Sequence, residues 1–250
     1  MGRLSGDGTI VAPRPCWDGV YGVSDIHSPR YLGLYRTALS GVDDLKILIL
    51  AGDIIDKGRH QWLKPVIEGV LSRFPRARLI GVYGNEEYEE ARSSLSRYPG
   101  VEWLDDSYTV VDKGSCRLAV VGTTGALDRL TRWQRRHKPE LAEVYRRRPR
   151  VLAGLIREAR SAADAVVLVS HYALSSATIV GEPRGVWPEL YSRSMERLLA
   201  EARPDAAVHG HAHRGRPYAL VGGVPVYNVA LPLTRRLTRI VGRVGLDSFL

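Results

Sequence analysis

The sequence predicts an α/β fold, on three observations. Short runs of consecutive apolar residues alternate with amphipathic stretches, the βαβ pattern of a parallel sheet with helical crossovers. Several of these runs lead directly into Asp, Asn or His, so polar side chains collect where strands stop. The composition is that of an ordinary folded chain: 250 residues, 44% hydrophobic and 25% charged. That supports a full core and argues against disorder, collagen and coiled coil.

Taken in order, Gly19 to Ser24 and Lys46 to Ala51 read as buried strands with a helix, Tyr31 to Ser40, between them. A second helix is expected over His60 to Arg73, a third strand over Leu79 to Tyr83, and a third helix over Glu86 to Arg97, stopped near Pro99. Tyr108 to Asp112 and Arg117 to Gly122 then form a hairpin across Lys113-Gly114-Ser115. Asp128 to Arg160 is helical in texture and heavily basic. Ala165 to Val169 is another buried strand, a helix covers about Ser194 to Ala202, and Ala206 to Val208 precedes a histidine cluster. Tyr218 to Val221 pairs with Pro225 to Val229 across Gly222-Gly223, a two-glycine hairpin turn. No linker or repeat divides the chain.

The formal charge of +9 and pI near 9.8 favour an anionic partner. Lysine occurs only at positions 46, 57, 64, 113 and 138, so most of the 36 basic residues are Arg. Arg suits bidentate phosphate contacts, although charged networks of heat-adapted proteins leave the same composition. Cys16 and Cys116 have no zinc-ribbon spacing and are too few for a disulfide framework; both read as buried structural thiols. No stretch has the apolar length of a membrane span, and Met1 to Pro15 lacks the apolar centre of a signal peptide, so a cytoplasmic location is expected.

The candidate chemistry lies at the strand ends. Asp25-Ile26-His27 follows the first strand, and Gly52-Asp53-Ile54-Ile55-Asp56 the second. Gly84-Asn85-Glu86-Glu87 follows the third, and a lone His171 the strand ending in Ser170. His209-Gly210-His211-Ala212-His213 closes the series. Open α/β sheets place their ligands at such carboxyl ends. Mixed carboxylate, amide and imidazole donors suit Mn, Fe or Zn, and a shared carboxylate holds two such ions roughly 3.5–4 Å apart.

In this order, from Asp25 to His213, the pieces resemble the calcineurin-like metallophosphoesterases. That family's pattern runs Asp-x-His, Gly-Asp-x-x-Asp, Gly-Asn-His-Asp/Glu, His, Gly-His-x-His. The resemblance implies a four-layer α/β/β/α sandwich of two mixed β-sheets flanked by helices. It spans one domain, 1–250, with the Arg-rich helical segment at about 126–162 as an insertion. It implies two divalent metal ions, one held by Asp25, His27 and His213, the other by Asn85, His171 and His211, with Asp53 shared. Asp56 and Glu87 would stand behind the ligands. His209 lies outside Gly-His-x-His and is expected to stay out of the ligand set, as are His60 and His137. The implied reaction is hydrolysis of a phosphate ester by in-line attack of a metal-bridging hydroxide, with Asp53, Asn85, Glu86 and His171 at the reacting centre.

One position departs from the pattern: Glu86 stands where the family usually carries a histidine thought to protonate the leaving group. Beside two cations a carboxylate is held ionised, which makes it a poor proton donor and adds negative charge. Diesters are therefore expected over monoester dianions, with a nucleotide among the candidate substrates. Two alternatives stay open: a nuclease using the arginines from Arg132 to Arg160, and a metal-binding scaffold whose catalysis has lapsed. Oligomeric state is not legible.

Overall fold

Runs such as Ile47-Leu48-Ile49-Leu50-Ala51 are apolar at every position because both of their faces are covered. The computed structural model describes residues 15–243. The N-terminal stretch read above for a signal peptide lies, but for Pro15, outside them.

The first half builds one sheet. Strand β1 (Val20–Val23) leads to helix α1 (Leu32–Ser40), β2 (Ile47–Ala51), α2 (Lys64–Arg73), β3 (Arg78–Val82), α3 (Glu89–Ser96) and β4 (Val101–Leu104). The second half gives β5 (Ser107–Asp112), β6 (Arg117–Thr123), α4 (Arg132–His137), α5 (Leu141–Ala162), β7 (Ala165–Ser170), α6 (Arg193–Ala202) and β8 (Ala206–His209). β9 (Tyr218–Val221), β10 (Val224–Asn228), α7 (Leu231–Thr234) and β11 (Thr238–Arg239) complete it.

One sheet has strand order β11-β1-β2-β3-β4, the other β5-β6-β7-β8-β10-β9. Both are mixed: β11, β5 and β9 run antiparallel to their neighbours, and the remaining pairs are parallel. Alternation along each strand sets the layers. Ile47 and Ile49 face Val120, Val167 and Val208 between the sheets, whereas Leu48 and Leu50 face Tyr35, Leu63 and Ile67 under the outer helices. On the far side Val166 and Leu168 pack on Tyr145, Leu152 and Ile156 of α5 and Leu198 of α6. The result is helix, sheet, sheet, helix.

Three differences from the sequence reading have physical causes. The third helix begins at Glu89 rather than Glu86, because Tyr88 is extended (φ −54°, ψ 148°) and the Glu87 carboxylate is committed to neighbouring backbone. β4 and β11 carry too little apolar alternation to stand out, being edge strands of four and two residues. The Arg-rich stretch is only partly a charged surface, since α5 lays its apolar stripe on the sheet as one of the outer-layer helices.

The cysteines are buried, at 2% and 8% exposure, but as partners rather than as free thiols. Cys16 and Cys116 form a disulfide with Cα atoms 5.2 Å apart. Sequence distance hid it: 100 residues separate the two. A cross-link closing so long a loop removes much freedom from the unfolded chain. Reduction, or replacement of both cysteines by serine, is expected to cost about 2–4 kcal/mol, a fall in Tm of roughly 5–15 °C. Calorimetric scans with and without reductant test this, and coincident scans would refute it. No helix among the described residues is long and apolar enough to cross a membrane.

Candidate metal centre

The polar groups that end β1, β2, β3, β7 and β8 meet at one end of the sandwich. Asp25 (φ 55°), His27 (φ 43°), Asp53 (φ 51°) and His211 (φ 68°) all adopt left-handed backbone. Such a conformation costs about 1–3 kcal/mol and persists only where neighbours enforce it. Here the loops enforce it on one another: Asp25 N–H donates to Gly52 O (3.0 Å) and His27 N–H to Asp53 O (2.9 Å). Two glycines supply room for the carboxylates. A Cβ on Gly84 would collide with that of Asp53, and one on Gly210 with that of Asp25.

Two groups of donors result, Asp25 with His27 and His213, and Asp53 with His171 and His211, the ligand atoms of each lying within 4.8 Å of one another. In the first, His213 Nε2 donates to Asp25 Oδ1 (2.9 Å), and His27 Nε2 stands 3.9 Å from that oxygen. Asp25 Oδ2 accepts instead from Ser24 Oγ (2.5 Å) and His211 N–H (2.9 Å), which fixes the carboxylate with Oδ1 toward the imidazoles. In the second, His171 Nδ1 donates to Ala51 O (3.1 Å), leaving Nε2 with its lone pair 3.1 Å from Asn85 Oδ1 and 3.5 Å from Asp53 Oδ2. Asp53 Oδ2 also lies 3.9 Å from His27 Nε2, so one carboxylate faces both groups.

This arrangement fits divalent cations. His171 Nε2 and Asn85 Oδ1 are acceptors facing each other with no proton between them, a contact that an intervening cation makes favourable. Burial pushes His171 down to about 4 and His211 down to about 3, which keeps both imidazoles neutral and free to ligate. Burial, then the charges of Glu87 and Asp25, push Asp53 well above the usual carboxylate range, a repulsion that bound cations relieve. At Asp25 burial acts upward as well, but the His213 hydrogen bond, the neighbouring His171 and His213 imidazoles and the Ser24 hydrogen bond together overcome it and hold that carboxyl well below the usual range. Asp25, Asp53 and His171 are at most 2% exposed, whereas His211 and His213 are half-buried and Asn85 is exposed, so the cluster opens on that side.

The residues around the ligands divide by what they touch. The Glu87 carboxylate, 1% exposed, accepts backbone N–H groups from Asp53 (2.8 Å), Ile54 (2.7 Å), Ile55 (3.1 Å) and Gly84 (2.7 Å). Glu86 donates its N–H to Asp53 Oδ1 (2.8 Å) and accepts Lys57 N–H (2.8 Å) on its carboxylate, at the rim of the cluster. Asp56 pairs with Arg59 instead of with any ligand. His209 is buried and bonded through Nδ1 to Gly210 O (2.8 Å) and through Nε2 to Thr178 Oγ1 (2.8 Å), outside both ligand groups. His60 and His137 are exposed, the latter tilted against Trp133. Sequence reasoning missed Ser24 and also Tyr172, whose ring packs 5.4 Å from that of His171 and 5.0 Å from that of His211. Position beside a ligand was the only signal for either.

Among solved structures, the chain resembles a protein of Staphylococcus aureus described as a candidate 5′-nucleotidase, at 17% identity and a TM-score of 0.56, covering 92% of this chain and 56% of that one. A dimetal phosphatase from Danio rerio aligns at 13% identity and 0.56, covering 87% of each chain. A protein from Thermus thermophilus aligns at 15% and 0.55, covering 90% of this chain and 98% of that one. At such identities the likeness bears on the fold. No curated protein sequence matches the chain. The model of the calcineurin-like phosphoesterase family, by contrast, matches residues 20–215, from the start of β1 to just past His213. With that span matched and both donor groups in place, the chain belongs to the calcineurin-like phosphoesterases, metal-dependent hydrolases of phosphoric ester bonds with dinuclear centres.

Proposed function

We propose that this centre hydrolyses phosphate diesters in preference to monoesters. The observation that carries the preference is Glu86, whose backbone N–H donates to Asp53 Oδ1 and whose added carboxylate accepts Lys57 N–H at the rim of the donor cluster. Asp25, His27 and His213 would hold one cation and Asn85, His171 and His211 the other, with Asp53 facing both. Bound there, two divalent ions polarise phosphoryl oxygens and supply an activated water, which is what in-line displacement at phosphorus needs. The chain's own part is positional. Ser24 and the His211 amide orient Asp25, Ala51 sets the tautomer of His171, and Glu87 shapes the loop that carries Asp53. Glu86 disfavours a dianionic monoester by charge and, lacking an imidazole, favours substrates whose leaving group departs without a strong proton donor.

An aryl diester and an aryl monoester, assayed on protein reconstituted with Mn, Fe or Zn, test this. The wild type is expected to favour the diester in kcat/KM, and Glu86→His to raise monoester turnover about tenfold, less than the roughly 10²–10⁴-fold of a fully positioned general acid. No monoester gain in Glu86→His counts against the proposal. Nuclease action through the arginines has less support, because Arg146 and Arg147 pair with Glu143, and Arg148 is buried against Asp106.

A further inference from the structure

We propose that Thr124 is a substrate-contacting residue whose hydroxyl donates a hydrogen bond to a phosphoryl oxygen of the ester bound beside His171. The inference rests on a phosphate ester being the ligand of the metal centre.

The register places the residue. β6 and β7 pair in parallel up to Thr123 and Ser170, and the Tyr172 N–H to Thr124 O bond (3.0 Å) continues that ladder one step. Thr124 thus stands opposite His171, and in a sheet such neighbours project their side chains to the same face. Alternation names the face: Val120 lies in the core between the sheets, and a Cβ on Gly122 would press on Leu104 and Val82 there. Thr124 follows in the same phase, on the side from which His171 reaches Ala51 and Asn85.

Its hydroxyl has no hydrogen-bond partner among the described residues. Thr124 is 8% exposed, and its Oγ1 is among the few buried side-chain oxygens without a hydrogen-bond partner in the described residues. Leaving such a group unpaired costs about 1–3 kcal/mol, which a ligand supplying an acceptor recovers. Phosphoryl oxygens are acceptors of the kind this donor lacks.

The position is also held rigidly from outside. Arg148 of α5, itself 9% exposed, donates Nη1 to Gly125 O (2.5 Å) and Nε to Asp106 Oδ2 (2.9 Å). Thr123 Oγ1 donates to Asp106 Oδ1 (2.6 Å) and accepts Gly125 N–H (3.0 Å). Thr124 lies between two residues clamped by this partly buried ion pair, a support that fixes a binding group. The basic helix thus acts on the site through one buried arginine.

The test compares wild type, Thr124→Val and Thr124→Ser, all loaded with Mn, by calorimetric titration with inorganic phosphate, by kcat/KM on an aryl diester, and by Tm and metal content. Thr124→Val is expected to weaken phosphate binding and lower kcat/KM about tenfold or more, the value of a hydrogen bond to a charged acceptor. Its metal content should be unchanged and its Tm equal to or above that of wild type, because valine fills the same space without an unpaired hydroxyl, and Thr124→Ser should stay within about threefold of wild type in both readouts. The proposal is overturned if Thr124→Val binds phosphate within twofold of wild type, or if the loss appears only with lowered Tm or metal content. Turnover by the wild type judges the phosphoesterase reading separately, since phosphate titration needs no turnover.

Discussion

Asp53→Asn is expected to lower kcat/KM about 10³-fold while leaving the metal-free protein as stable as wild type or more so. The two halves have different causes. Asn keeps the shape, the oxygen that accepts Glu86 N–H, and a tolerance of the left-handed backbone at φ 51°. It removes the negative charge from the one carboxylate that faces both His171 Nε2 and His27 Nε2. An amide is a weaker ligand, so paired cation binding and the activation it supplies should fail together. In the metal-free protein the same charge is a burden, because Asp53 is buried beside Glu87 and Asp25 and its pKa is pushed upward by burial and those charges. Elemental analysis, diester kinetics and thermal scans with chelator separate the effects. A variant that lost stability along with activity would show that Asp53 holds the fold rather than the cations.

The candidate donor set was legible because it follows a rule of chain layout. Runs apolar at every position predict doubly covered strands, and a polar residue directly after such a run must sit where strands end. Asp25, Asp53, Asn85, His171 and His211 satisfy that rule, and the structure draws them together with His27 and His213. What stayed hidden depends on register, long-range pairing or backbone sign. Thr124 matters only because β6 and β7 pair at one register. Cys16 and Cys116 pair across 100 residues that periodicity does not connect. The positive φ of His27 and His211 is only weakly signalled, since histidine, though enriched at positive φ, adopts ordinary backbone at most positions. The false start of α3 at Glu86 shows the same limit: Glu86, Glu87, Glu89 and Glu90 all look like dipole complements, and Glu89 and Glu90 do stand in the first turn, whereas Glu87 serves backbone outside the helix.

That role makes Glu87→Gln the most demanding test of how the loops are built. Oε2 accepts from Asp53 and Gly84, and Oε1 from Ile54 and Ile55, so four donors converge on a group that carries no proton to them. Burial pushes the Glu87 pKa up, and the four N–H groups oppose it by favouring the ionised form. Gln has the same outline but only one acceptor oxygen. Whichever way its amide turns, an NH₂ meets two N–H donors, leaving both unpaired in a site that water does not reach. The expected loss is about 4 kcal/mol, a fall in Tm of roughly 8–16 °C, larger than that from reducing the disulfide. Activity should fall as well, because Asp53 takes its position from the backbone that Glu87 holds. A Glu87→Asp variant separates charge from reach: its carboxylate keeps four lone pairs but is one methylene short, so it should regain part of the stability and little of the activity. If Glu87→Gln melts with wild type, the four hydrogen bonds do not order the loops, and the left-handed backbone at Asp53 must be enforced by other contacts.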